Sequence, residues 1–445
     1  MNLLKTIAKF VAVAILTQLA IGCCKHNKLE PDYENRRVLL FYECGFNNLT
    51  SYLKDNVDGT EKGLPAGYIP GEYGDVLLVY SRFAKSSYNY NPTESHLRRL
   101  YKKANGTIVS DTLKTFDKET VAASSSTLRQ VLNFVKDEFP AKGYGLVFSS
   151  HGSGWLPAGY FSSPSEFEKE HKGELQTSAQ SRGISKAEIK VPRRLPVPDG
   201  RLENVDKYYG MTRSIGQDVI SSTYYYGHEM DINEFADGIP YHLDYILFDM
   251  CYTSGVEVAY GLKDKADVLG LSPTEVLGDG MFNYTKLTTF LLKEKEPDFE
   301  ALFKDSFEMY NKQSGFYKSS TVNVIRTNGL DKLAEVCTRM IKEYADTLSN
   351  APASEIQGYY RNGRHYFYDL VDIFDKCGAD KNDIKELNAA IDACVIYKNS
   401  TPQFLEEFDI TNYSGFSMYL PCAGTDLLDF YYKKEAWNKA TGLVK

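Results

Sequence analysis

The chain has no long basic run, no cysteines spaced Cys-x-x-Cys, no internal repeat and no apolar stretch long enough to span a bilayer comfortably. Each absence removes a class of function. Without a basic stripe, and with a formal net charge of −8, the surface offers no footprint for a nucleic-acid partner. Without paired cysteine spacing there is no structural zinc site, so no metal is expected. Without a repeat the fold is not a solenoid. What remains is a chain of 445 residues with ample apolar residues to bury one large core or two smaller ones.

Lys5 and Lys9 precede the apolar run Phe10 to Ile21, which has the length of a signal-peptide core. The run ends in Leu19-Ala20-Ile21-Gly22-Cys23, and a small residue directly before a cysteine at this place resembles the bacterial lipoprotein cleavage site. Residues 1–22 are therefore expected to be a lipoprotein signal peptide, Cys23 the lipidated first residue, and residues 23–35 a polar tether. The chain is expected to be exported and anchored to a bacterial membrane, facing the periplasm or the cell surface. An ordinary secretory signal or a signal anchor is the alternative. A chain of this length does not need disulfides, so buried free thiols are the simpler expectation for the remaining cysteines.

The rest is organised around Tyr245-Ile246-Leu247-Phe248-Asp249-Met250-Cys251. A strand-length apolar run ends in Asp-x-Cys, and Ser254 to Leu262 reads as a helix with Ser254 as N-cap. This places a thiol at the carboxyl end of a buried strand, the edge where open parallel sheets bind ligands. Ahead of a helix N-terminus, partial positive charge favours thiolate over thiol. Upstream, Tyr144-Gly145-Leu146-Val147-Phe148-Ser149-Ser150-His151-Gly152 repeats the pattern with a histidine at the turn. If the two strands are neighbours, His151 and Cys251 form a base and a nucleophile. The Gly152 and Cys251 amides can then hold the oxyanion of a tetrahedral intermediate.

A lone histidine is more often structural than catalytic; the register with Asp249-x-Cys251 sets His151 above His96, His171 and His242, with His228 the only other one worth testing. Cys44 is the rival nucleophile because it too follows an apolar strand. It has no aspartate two residues before it and no helix directly after it, so it is expected to pack at the same sheet edge.

A strand ending in His-Gly, followed by a strand ending in Asp-x-Cys, resembles the clan of caspase, legumain, gingipain and clostripain peptidases. The closer resemblance is to the clostripain-like family, carried by Asp249-Met250-Cys251, Val256-Glu257-Val258-Ala259-Tyr260 and Ser272-Pro273-Thr274-Glu275 leading to Gly280 and Tyr284. It implies a cysteine endopeptidase with a His151–Cys251 dyad acting on protein or peptide substrates. It also implies cleavage after Arg or Lys, with Asp249 and Asp279 as acids of the substrate pocket. Self-cleavage between the His and Cys strands is a further implication, and Arg193-Arg194 is the expected site. No cofactor is required. Calcium dependence occurs among resembling peptidases, yet no loop here has calcium-ligand spacing. The rival readings are a non-catalytic surface lipoprotein that uses the scaffold for binding, and an acyl transferase or ligase using the same thioester.

Strands expected at Val38–Tyr42, Asp75–Tyr80 and Ala266–Leu271 alternate with helical spacing, as in Leu128, Val131, Leu132 and Val135 after Ser124. The fold class is therefore α/β, a caspase-like, mostly parallel sheet flanked by helices. Asn105-Gly106 is expected to close a hairpin through a type I′ turn. Residues 36–284 form the catalytic domain, with an irregular insert at 162–222. Residues 285–445 are expected to form a mainly helical C-terminal lobe.

Overall fold

The computed structural model describes residues 35–64, 74–103, 105–161, 164–181, 214–221, 226–292, 296–361 and 363–445. The signal segment, Cys23, the tether but for its last residue, and Arg193-Arg194 lie outside the described residues. In chain order the first twelve strands are β1 (Arg37–Gly45), β2 (Val76–Phe83), β3 (Ser95–Lys102), β4 (Ile108–Phe116), β5 (Gly143–Ser149), β6 (Ile215–Ser221), β7 (Tyr226–Met230), β8 (Leu243–Asp249), β9 (Ala266–Leu271), β10 (Thr321–Arg326), β11 (Tyr368–Asp369) and β12 (Val395–Ser400). Nine form one sheet in the order β12-β10-β9-β8-β5-β1-β2-β3-β4. Its five central strands, β9 to β2, are parallel. The strands at both flanks run antiparallel to their neighbours.

The central strands are apolar on both faces because both are covered, as parallel sheets require. In β1, Val38, Leu40 and Tyr42 face one core, and Leu39 and Phe41 the other. Three helices, α1 (Thr50–Gly63), α2 (Ser125–Glu138) and α3 (Pro164–Ser181), precede β6 in the chain. After β7 come α4 (Ile232–Gly238), α5 (Val256–Gly261), α6 (Tyr284–Leu292), α7 (Phe299–Asn311) and α8 (Leu330–Glu343). Helices α2, α4, α5 and α8 contribute to the first core, and α1, α6 and α7 to the second. Helix α2 shows the local logic. Ser124 accepts the Thr127 N–H as its cap, and Leu128, Val131, Leu132 and Val135 are buried on one stripe, each stabilising by roughly 1.5–3 kcal/mol.

Four expectations change. The helix after Cys251 starts at Val256 with Gly255 as N-cap, because the Ser254 hydroxyl donates instead to Gly415 O at 2.6 Å. The hairpin closes through Lys103 N–H to Thr107 O and Gly106 N–H to Lys103 O, with Gly106 left-handed at φ 86° and Asn105 not. That is a three-residue loop rather than the two-residue type I′ turn. The described part of the insert is ordered. Helix α3 has too few apolar residues for a period, and it docks through Tyr431, whose hydroxyl donates to Glu174 at 3.1 Å, and through Thr425 to Glu168. Finally, the C-terminal half is integrated with the sheet, since β10 and β12 extend it.

Candidate active site

Strands β5 and β8 are parallel neighbours with Ser149 opposite Asp249. Both strands end there, so His151 and Cys251 each stand two residues beyond the same rung. Equivalent offsets on adjacent parallel strands bring the two turns side by side, and the glycines of the His turn report how close they lie. A Cβ on Gly152 would meet Cys251 O at 2.6 Å, and one on Gly154 would meet Tyr252 O at 2.5 Å. Only glycine fits at those two places. The Gly152 bridge to Ile215 is made by its neighbours, Ser153 N–H to Ser214 O and Gly216 N–H to His151 O, both 3.0 Å.

The Cys turn is tight. Tyr252 adopts φ 56°, a left-handed conformation that a bulky residue holds only where its surroundings dictate it. Here its N–H donates to Thr274 O at 2.8 Å, and its ring stacks on Phe367 at 4.4 Å and 9°. The Cys251 sulfur accepts the Val276 N–H at 3.2 Å and points its own proton toward Val276 O at 3.8 Å. Next to it Glu275 is clamped by Arg361, Nε to Oε2 at 2.6 Å, both side chains buried.

Burial, then the Glu275 carboxylate, pushes the Cys251 thiol far above its ordinary range, against the opposing pull of the Val276 N–H and Arg361. The expectation of a thiolate primed by a helix N-terminus is therefore corrected. The helix begins five residues on and is only six residues long, while Cys251 is 8% exposed. In this state the sulfur is a neutral thiol, and chemistry needs a base that takes its proton. His151 is also buried, and its Nε2 lies 2.6 Å from Asn48 Oδ1.

Asp249 is fixed from three sides. Its oxygens accept the Met281 N–H at 2.6 Å, the Tyr284 hydroxyl at 2.5 Å and the Asn56 amide at 3.4 Å, and burial pushes its acid up to about 6. Asp279 is exposed in the turn before Gly280, whose carbonyl accepts the Tyr310 hydroxyl at 2.5 Å. Asp249 and Asp279 both add to the effect of burial that raises the Tyr310 phenol. A third acid, Glu43, is opposite Ser149 on β1. It is fully buried, accepts the Ser149 hydroxyl at 3.3 Å, and has its acid pushed well above the usual carboxylate range by burial first and Asp249 second.

Sequence reasoning missed Asn48, Glu43 and the Glu275–Arg361 pair. For Asn48 a signal existed: it follows β1 at the same sheet edge as His151 and Cys251. Glu43 stood unmarked within an apolar strand, and Arg361 is too far along the chain from Glu275 for any spacing rule. Among the other histidines, His242 bonds Asp267 at the surface at 2.9 Å, and His228 is exposed on β7. Cys44 is sealed, its sulfur 3.5 Å from Asp218 Oδ1. The six described cysteines are all free. Among the described residues, no group of three or more His, Cys, Asp or Glu side chains could hold a metal ion.

A caspase-like sheet with a thiol at its carboxyl edge and an imidazole just past the end of the adjoining strand is the arrangement of a cysteine peptidase. The model of the clostripain family matches residues 41–166 and 200–437, and the chain belongs to that family. Its fold is shared with an inactive zymogen C11 protease from Parabacteroides distasonis, 26% identical, with a TM-score of 0.68 over 92% of this chain and 98% of that one. A secreted C11 cysteine protease from Bacteroides thetaiotaomicron, iotapain, is 23% identical with a TM-score of 0.65, covering 92% and 99%. A C11 protease of the same organism in complex with an irreversible peptide inhibitor is 20% identical, also at 0.65 over 92% and 99%. These last two share the fold. No curated protein matches the chain.

Proposed function

We propose that His151 and Cys251 are the base and nucleophile of an endopeptidase that cleaves after Arg or Lys. The observation that carries this is the Ser149–Asp249 rung, which sets both side chains two residues past one edge. His151 takes the thiol proton as sulfur attacks the scissile carbonyl, the Gly152 and Cys251 amides hold the oxyanion, and the imidazolium protonates the departing amine. Water then hydrolyses the thioester. The basic preference rests on Asp249 and Asp279, since carboxylates in a partly dry pocket favour guanidinium or ammonium.

Latency and self-processing fit the same frame. The thiol is covered and neutral, and Arg193-Arg194 lie between two held flanks, α3 docked on the C-terminal helices and residues 214–219 threaded beside the His151 turn. A cut there leaves both sides attached. Export with a lipid on Cys23 completes the reading. The test is a fluorogenic peptide library scanned at the residue before the cleaved bond, with and without calcium. Turnover concentrated on Arg and Lys, lost in Cys251→Ala and flattened in Asp279→Asn, supports it; turnover blind to that residue contradicts the basic preference. Fragments identical in wild type and Cys251→Ala would show that something else makes the cut.

A further inference from the structure

We infer that Asn48 is the positioning residue of the site, turning the dyad into a three-part relay; the inference rests on the dyad reading above. Asn48 Oδ1 lies 2.6 Å from His151 Nε2. An amide oxygen only accepts, so in this contact Nε2 carries the proton. The basic lone pair is then on Nδ1, and Nδ1 is the nitrogen that receives the Cys251 proton and returns it to the leaving amine. The atoms balance: the S–H proton moves to Nδ1, the sulfur–carbon bond forms, the carbon–nitrogen bond breaks, and the amine nitrogen takes the proton. Asn48 gives up nothing. It stabilises the imidazolium through its dipole and holds the ring in one tautomer and one orientation.

The loop that carries Asn48 is built to hold that oxygen still. Asn47 donates through Nδ2 to Cys44 O and Gln217 O, both at 3.0 Å, and accepts the Leu49 N–H on Oδ1 at 2.9 Å. Phe46 O accepts the Val219 N–H at 2.9 Å, and Asn48 O accepts the Ser87 hydroxyl at 3.1 Å. Hydrogen bonds thus pin the backbone on both sides of Asn48 and at Asn48 itself. The order across the sheet is also the order of the relay: β1 delivers Asn48, its neighbour β5 delivers His151, and the next strand, β8, delivers Cys251.

The experiment compares wild type, Asn48→Ala, Asn48→Asp and Cys251→Ala as full chains confirmed by mass to be in the same processed form, on the best substrate of the peptide library. Asn48→Ala is expected to lower kcat roughly tenfold to a hundredfold with KM within about threefold, the scale of a misplaced catalytic group. Asn48→Asp keeps the acceptor and is expected to recover most of kcat, with the acid limb of the pH profile moved upward because a carboxylate favours the charged ring. A wild-type kcat and pH profile in Asn48→Ala overturns the inference. So does an Asp variant that recovers nothing and moves no limb, which would mark Asn48 as a loop support alone. Turnover surviving in Cys251→Ala is a different failure: it removes the dyad reading, and this inference with it.

Discussion

Cys44 is the penultimate residue of β1 and Cys251 stands two residues past the end of β8, two strands along the same edge of one sheet. Each sulfur is buried, and each lies near a buried arginine–carboxylate pair, Arg82 with Asp218 in one case and Arg361 with Glu275 in the other. The difference is in what faces the sulfur. At Cys44 it is a carboxylate oxygen, Asp218 Oδ1, and burial followed by that charge pushes the thiol up. At Cys251 it is a backbone donor, the Val276 N–H, while Arg361 engages the nearby Glu275. Cys44 also belongs to the strand, whereas Cys251 sits on a left-handed turn with the imidazole turn alongside. Under the proposed dyad, position past the strand end, not the presence of a thiol at a sheet edge, separates the nucleophile from a packing thiol.

The largest effect that would break this comparison is on turnover. Cys251→Ala is expected to lower kcat by about 10⁴-fold or more, and Cys44→Ala to leave it within about threefold, both read with the same fluorogenic peptide. Second, Arg82→Met and Arg361→Met each strand a buried carboxylate, which costs about 3–5 kcal/mol in urea denaturation. Only Arg361→Met is expected also to slow alkylation of Cys251, because the released Glu275 charge opposes the thiolate. Equal slowing in both variants would erase the distinction between the two ends. Third, Gly152→Ala drives a methyl into Cys251 O and Met250, with an expected loss of about 1–3 kcal/mol and of activity; Gly106→Ala, where nothing lies within 4 Å, leaves activity unchanged.

The smallest effect is on pH. Behind the Cys251 turn, burial pushes Glu257 up to about 7 and Glu435 up to about 8 from an ordinary 4.5. The folded protein therefore binds these protons more tightly than the unfolded chain, so their stabilisation is complete below about pH 4.5 and is lost as pH rises through 7 and 8. Melting temperature should fall across that window, and Glu257→Gln should flatten the fall. A curve unchanged by the substitution would assign the slope elsewhere.

Much of this was legible in the sequence because it depends on local pattern. The strand runs before His151 and Cys251 are apolar on both faces, which is the mark of a covered parallel sheet, and Asp-x-Cys and His-Gly fall where those runs stop. Asp249, two residues before the sulfur at the end of the same run, stands out for the same reason. What was not legible depends on contacts across long stretches of chain. Arg361 reaches Glu275 from the C-terminal half, Gly415 O takes the Ser254 hydroxyl away from its capping role, and Asn48 meets His151 only once β1 and β5 are paired. The state of the thiol was misread for a physical reason. A helix dipole acts over one turn, and here the intervening turn and the burial of sulfur outweigh it.

The most direct measurement is site mapping by mass spectrometry after reaction with an electrophilic peptide ending in Arg or Lys. The structure predicts one adduct, on Cys251, absent in Cys251→Ala and formed much more slowly in His151→Ala, with Cys44 unmodified. An adduct on Cys44, or labelling of Cys251 that ignores the loss of His151, would contradict it.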